Sequence, residues 1–305
     1  MATADEKKLI IDGNLYEIDR ALSVLLEKRV AHVAEKADMV LGTEEDELRS
    51  VYERLFAQKQ KVVDTISENE RYVSVLHDVI AVYDKINCVE LFCDGKDADI
   101  FAKDGIDDGT VVYVKNPLAE MAFNSFSKYI KEPRAMYEST FTDVCEEVYY
   151  SRTPYCILPI ENSEDGRMSG FGGMIRKYEL KIVMTCNVES ASGRMTRFAL
   201  LKRELSRLKC PPSHSEGEYL EIGLNFGEEQ RLHEVLQAAS FFGYTLNKID
   251  SLPIYYSENE YYFDVVFKGS GQIKKFLFWL ELEVPRYEII GIYTHIKSQK
   301  GKNGG

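Results

Sequence analysis

At 305 residues the chain is long enough for two or three domains, since a single core seldom grows past a few hundred residues. Hydrophobic residues make up 45% and charged residues 29%, an ordinary globular balance that excludes a fibrous or wholly disordered chain. A formal net charge of −12 with no long Lys/Arg run excludes a nucleic-acid footprint, and no apolar stretch approaches the length of a membrane span.

Residues 15–87 read as helix. Leu15, Ile18, Leu22, Leu25, Leu26, Val30 and Val33 recur at three- and four-residue steps, giving one apolar stripe on a helix about 40 Å long. Thr43 followed by Glu44, Glu45 and Asp46 caps a second helix carrying Leu48, Val51, Leu55, Val62 and Val63. A third holds Tyr72, Val73, Leu76, Val79, Ile80 and Tyr83. Such a stripe cannot be buried by one helix alone, so it predicts packing against other helices or a second copy.

A polar stretch with Gly95, Gly105 and Gly109 separates this part from one with a different period. Strands are predicted at 111–114, 135–138, 156–158 (ended by Pro159), 180–188 and 196–201. Helices are predicted from Pro117, over Thr140–Tyr150 and around 172–178, with Gly170-Phe171-Gly172-Gly173 as a turn before the last. The alternation implies an α/β layer with a mostly parallel sheet. After a second linker at 210–217 come strand 218–226, helix 229–242, strands 245–255 and 261–268, helix 271–283 and strand 287–296. That βαββαβ order is the ferredoxin-like arrangement. The fold class is thus multidomain, α/β plus α+β: a helical domain at 1–92, an α/β lobe at 108–203 and a ferredoxin-like domain at 217–298.

The six cysteines form no Cys-x-x-Cys pair, and Cys145, Cys156 and Cys186 sit within apolar patterns. They are expected to be reduced, buried thiols in a cytoplasmic protein. The five histidines have no metal-ligand spacing, and neither a metal nor a cofactor is expected.

Several segments resemble a known family. Tyr155-Cys156-Ile157-Leu158-Pro159-Ile160-Glu161-Asn162-Ser163 is similar to the V-P-I-E-N-S motif of prephenate dehydratases, and Thr196-Arg197-Phe198 to their T-R-F signature. Leu246-Asn247-Lys248-Ile249-Asp250-Ser251-Leu252-Pro253 resembles the L-x-K-I-E-S-R-P segment of their C-terminal ACT domain. The N-terminal helices resemble chorismate mutase, with Arg29 at a substrate-binding position. In this order the three resemble the bifunctional chorismate mutase/prephenate dehydratase (P-protein) family of L-phenylalanine biosynthesis. The resemblance implies catalytic positions at Glu161, Asn162, Ser163, Thr196, Arg197 and Phe198. It implies an amino-acid pocket at Asn225, Phe226, Gly227, Asp250, Ser251, Leu252 and Pro253. The implied partners are prephenate or phenylalanine and a second copy of the chain, joined through the helical and ACT domains.

The chain also departs from the family. The mutase cations flanking Arg29 are missing and Asp84 stands where substrate would meet it, so mutase activity is expected to be lost. Only residues 164–195 lie between the E-N-S and T-R-F motifs, too few for the family's second lobe. Two expectations stay open: a dehydratase with impaired catalysis, or a non-catalytic regulatory paralogue that keeps the ACT sensor. Leu252 replaces an Arg in the turn motif, which implies weak aromatic amino-acid binding.

Overall fold

The computed structural model describes residues 108–164, 166–225, 232–253, 261–284 and 286–297, with residue 101 and isolated helical positions within 16–28 and 82–89. It divides into two compact units, Met1–Lys96 and Asp97–Gly305. In the first, Tyr16, Glu17, Arg20, Ala21, Val24, Leu25 and Lys28 are helical, as are Val82, Ile86 and Val89. Val82, Ile86 and Val89 follow the i, i+4, i+7 spacing of one helix face, and all three are buried. Leu25 of the expected apolar stripe is 61% exposed. Arg29 and Asp84 lie outside the described residues.

In the second unit, strand β1 (Thr110–Val114) leads into helix α1 (Pro117–Phe126). The Asn116 side chain accepts from the Ala119 N–H and Pro117 occupies the first turn, so two of the helix's orphan positions are dealt with locally. Strand β2 (Arg134–Glu138) precedes α2 (Phe141–Tyr149), which Thr140 caps by accepting from the Asp143 N–H at 3.1 Å. Then follow β3 (Tyr155–Asn162), the two-residue β4 (Gly166–Arg167), α3 (Ser169–Lys177), β5 (Lys181–Glu189) and β6 (Met195–Lys202). The remainder is β7 (Ser215–Asn225), α4 (Leu232–Phe241), β8 (Thr245–Pro253), β9 (Tyr261–Lys268), α5 (Ile273–Glu283) and β10 (Tyr287–Ile296).

Strand alternation places Val111 and Tyr113 on the α1 face of the sheet, where they pack with Phe126, Ile157 and Phe198. Val112 points the other way and packs with Val144 and Val148 of α2 and Ile175 of α3. Each fully buried side chain of this size, Phe126 for example, contributes about 1.5–3 kcal/mol. Behind the second half, Phe242, Phe267, Phe276 and Trp279 form an aromatic core, with Phe267 and Phe276 edge to face at 5.6 Å between ring centres.

The strand order is β2-β1-β3-β6-β5-β10-β7-β9-β8, with β4 on β3. The last four form the expected antiparallel ferredoxin-like sheet. The first five are not mostly parallel: β2, β1 and β3 run parallel, but β6 is antiparallel to both β3 and β5. The reason is local. β5 and β6 form a hairpin closed by Ser190 and Gly193 (φ 80°), and a hairpin can only return antiparallel. The α/β layer and the ferredoxin-like sheet are also not separate, because β5 pairs in parallel with β10 and makes one sheet of them.

Two further expectations are corrected. Pro159 does not end its strand. It faces Phe198 within the β3–β6 pair, at an irregularity in the register where its missing N–H is tolerated. Gly170-Phe171-Gly172-Gly173 is not a turn but the first part of α3. At Gly172 an added Cβ would lie 3.7 Å from the Arg167 Nε, an ordinary van der Waals distance, so that guanidinium lies beside the helix without depending on the glycine.

Candidate functional site

The β3–β6 register brings the two dehydratase-like motifs together. Asn162 pairs with Thr196, and Glu161 with Arg197. Beyond them the Ser163 N–H donates to the Met195 carbonyl at 2.9 Å, and the Met195 N–H donates to Ser163 Oγ at 3.2 Å. Asn162 Oδ1 accepts from the Glu164 N–H at 2.9 Å. Asn162 and Ser163 therefore build the turn after β3, as polar turn residues commonly do. Thr196 is 8% exposed, and Phe198 belongs to the α1-side core.

Arg197 is held from two sides. Its Nη1 donates to Glu161 Oε2 and its Nε to Asn187 Oδ1, both at 3.1 Å. Lys248, from β8, reaches Glu161 Oε1 at 3.3 Å and Asp250 Oδ2 at 3.2 Å. One carboxylate thus serves two cations from opposite halves of the sheet.

Around this pair lies a larger buried charge cluster. Arg167 lies 2.8 Å from Glu221, 2.9 Å from Asp264 and 3.6 Å from Asp250. The Asp264 Oδ2 is out of line for a true hydrogen bond with it, while Asp264 Oδ1 accepts from Arg176 of α3. Arg176 also stacks over the Tyr262 ring at 4.2 Å. Burial disfavours the charge on Arg167, but Glu221 and Asp264 outweigh it and its pKa is raised. Burial and the neighbouring Glu221 hold the Tyr293 hydroxyl protonated, and it donates to Glu221 Oε2 at 3.1 Å.

His295 of β10 faces Thr185 of β5 across the seam, with Nδ1 and the hydroxyl 2.8 Å apart. Its Nε2 is buried without a hydrogen-bond partner, although Glu216 lies 3.5 Å away. Burial first, then Arg197 and Lys268, lower the imidazole pKa to about 4, so the ring is neutral at pH 7. A cavity of ≈ 100 Å³ lies among these groups, lined by Glu161, Arg167, Arg197, Glu221, Lys248 and His295 with parts of α3, β5 and β7.

The expected amino-acid pocket is described only in part. Asn225 ends β7, its N–H donating to the Arg286 carbonyl at 3.1 Å. Phe226 and Gly227 lie outside the described residues. Asp250, Ser251, Leu252 and Pro253 end β8, paired with Asp264, Phe263, Tyr262 and Tyr261. Asp250 belongs to the charge cluster.

Sequence reasoning singled out Glu161 and Arg197 but missed Arg167, Arg176, Glu221 and His295 as parts of one cluster. The available signal was the acid inside an apolar strand, as with Glu221 between Leu220 and Ile222. Among the described residues, no cluster of His, Cys, Asp and Glu could hold a metal ion, and no helix is long and apolar enough to cross a membrane.

No protein-family model matches the chain, and no curated protein matches it. Among solved structures, a prephenate dehydratase from Streptococcus mutans aligns at 20% identity and a TM-score of 0.49, over 62% of this chain and 99% of that one. A prephenate dehydratase from Arthrobacter aurescens, in complex with L-Phe, aligns at 14% identity and a TM-score of 0.46, over 60% and 89%. GqqA, described as a novel type of quorum-quenching acylase, aligns at 18% identity and a TM-score of 0.48, over 61% and 95%. The structural neighbours of this chain thus include prephenate dehydratases, at identities too low to assign it an activity or a ligand.

Proposed function

We propose that the chain is a prephenate-dehydratase-like protein of L-phenylalanine biosynthesis that senses an aromatic amino acid and does not dehydrate prephenate. The observation that carries this reading is the state of the motif strands. Prephenate is a dicarboxylate and needs converging cations left open to it. Here Arg197 and Lys248 both bind Glu161. The ≈ 100 Å³ cavity beside them is well below the roughly 300 Å³ at which small-molecule sites begin. Dehydration also needs a proton delivered to the leaving hydroxyl in a site closed to water, and Thr196, 8% exposed, has little room to face a substrate.

The sensing role is supported by the βαββαβ order of β7–β10 and by the ACT-like segment Leu246–Pro253 on β8. Asn225 and Asp250–Pro253 are the positions proposed to bind the amino acid, with Phe226 and Gly227 completing them. A homodimer is part of the same reading. β8 is the outer strand at its end of the sheet, and Leu246 and Ile249 on it are 46% and 37% exposed.

The test is a prephenate assay on the full chain, following phenylpyruvate, beside calorimetric titration with phenylalanine, tyrosine and tryptophan. No turnover is expected, together with weak aromatic amino-acid binding that Leu252→Arg strengthens. Turnover abolished by Thr196→Ala would overturn the catalytic half of the proposal. Absence of binding in both the parent and the Leu252→Arg chain would overturn the sensing half.

A further inference from the structure

From the cavity at the start of β3 and the end of β6, we infer that the chain binds an uncharged polyhydroxyl compound of about monosaccharide size. The inference goes beyond the proposed function and uses none of its residues.

Position and size separate this site from the motif strands. β3 runs from Tyr155 to Asn162, and β6 runs antiparallel to it from Met195 to Lys202. Asn162 and Thr196 lie at one end of the pair, so at about 3.3 Å per residue the other end is roughly 20 Å away. The cavity there measures ≈ 370 Å³, within the range of small-molecule sites, which begins near 300 Å³. A cavity of about 150 Å³ takes benzene, so this one suits up to about fifteen non-hydrogen atoms.

Charge narrows the chemistry. Arg152, Lys202 and Arg203 line the cavity with Asp108 and Glu204. Both arginines are answered from outside the lining, Arg152 by Glu147 at 2.6 Å and Arg203 by Glu179 at 3.3 Å. An anion therefore meets no unmatched arginine. Asp108 and Glu204 are exposed, so water screens them and a cation gains little from them. Such a wall favours hydroxyl groups. A hydroxyl both donates and accepts, so carboxylates and cations alike can bind it, and bonds to charged groups are about twice as strong as neutral ones. A guanidinium carries five N–H donors, so an arginine held by one carboxylate still has donors to offer. Val148 and Pro154 add apolar contact for ligand carbons, and no aromatic ring lines the cavity to stack on a nucleobase or phenylalanine.

The second observation is an unmatched hydroxyl. Past α2, Ser151 takes a left-handed conformation (φ 56°), and the Arg152 and Thr153 N–H groups both donate to the Glu147 carbonyl, at 2.8 and 3.2 Å. This turn sets Thr153 in the cavity wall, 5% exposed, with its Oγ1 lacking a hydrogen-bond partner. Buried polar atoms are nearly always satisfied, so a hydroxyl left over in the wall of a polar cavity points to a ligand O–H.

The experiment is calorimetric titration of the full chain with D-glucose and myo-inositol, with thermal unfolding as a second readout. At least one of them is expected to bind saturably in the millimolar range. At ten times its Kd it shifts the folded-to-unfolded ratio about elevenfold. D-glucuronate and D-glucosamine, charged with opposite signs, are expected to bind at least tenfold more weakly. Sucrose, too large for the cavity, is expected to raise Tm only as an excluded osmolyte, without saturation. Thr153→Val removes a hydroxyl that has no partner in the protein, so the ligand-free Tm is expected to hold while Kd rises about tenfold. Glu204→Ala, at an exposed position, is expected to raise Kd at least threefold. Saturable binding by neither sugar would overturn the inference, the cavity then holding ordered water only. So would tighter binding of glucuronate or glucosamine than of glucose, or a Kd unchanged in both variants. None of these readings depends on prephenate turnover or on phenylalanine binding, so this inference and the proposed function fail separately.

Discussion

Replacing Asp264 with Asn tests whether the buried charge cluster holds the two halves of the sheet together. Asp264 is fully buried and serves Arg167 and Arg176, whose side chains are 16% and 22% exposed. Breaking a buried pair by removing one partner costs about 3–5 kcal/mol, because the charge left behind is desolvated and unmatched. Arg167 keeps Glu221 at 2.8 Å, whereas Arg176 keeps chiefly the Tyr262 ring at 4.2 Å. The expected loss therefore sits near the low end, about 3 kcal/mol. For a unit of this size that lowers Tm by about 6–12 °C. The chain's single tryptophan, Trp279, is 1% exposed on α5 and reports this unfolding by fluorescence during urea titration. Pairing Asp264→Leu with Arg176→Met removes both charges and is expected to recover at least half of the loss. A loss below about 1 kcal/mol for Asp264→Asn, the size of a surface pair, would refute the reasoning. So would a double variant less stable than the single one.

Three further outcomes follow from the structure. His295 has a folded pKa of about 4 against an ordinary 6.5, so the unfolded chain binds the proton more readily. Its contribution is therefore complete above about pH 6.5 and lost as pH falls toward 4, amounting to about 3 kcal/mol, and His295→Asn should flatten the Tm–pH curve in that window. Gly223→Ala would push a methyl into Tyr262, since an added Cβ would lie 1.9 Å from its hydroxyl oxygen. The expected cost of about 1–3 kcal/mol is measurable in the same urea titration. Burial pushes the Cys145 and Cys186 thiols up to about 12 and raises the Cys156 thiol as well. Alkylation of native protein at pH 8, mapped by mass spectrometry, should therefore modify Cys210 well before those three.

Much of the architecture could be read locally. Pro117 and Thr140 announce in sequence the helices they open, and the period-2 runs at 261–268 and 287–296 become β9 and β10. The neighbourhood of Glu161 and Arg197 was legible too, because two family-like motifs in order predict one site. What escaped is set by pairing across long separations. Thr185 meets His295 across 110 residues, and nothing in either segment's own period names the other as its neighbour. Pro159 shows the same limit from the opposite side: its local preference says stop, but hydrogen bonds to β6 on both sides carry the strand past it. The charge cluster was hidden because its members come from β4, α3, β7, β8 and β9, one or two from each.

The β5–β10 seam has a consequence for how the molecule is made. β5 is written into the chain more than a hundred residues before the strand that covers its outer edge. During synthesis the first five strands can pair among themselves, but the bare side of β5 waits until residues 287–296 have emerged. Through that interval the nascent chain carries an open, largely apolar edge strand, the kind of surface that other chains add to. A chain cut within β10 would carry that edge permanently, so truncation there should yield aggregates rather than a smaller folded protein.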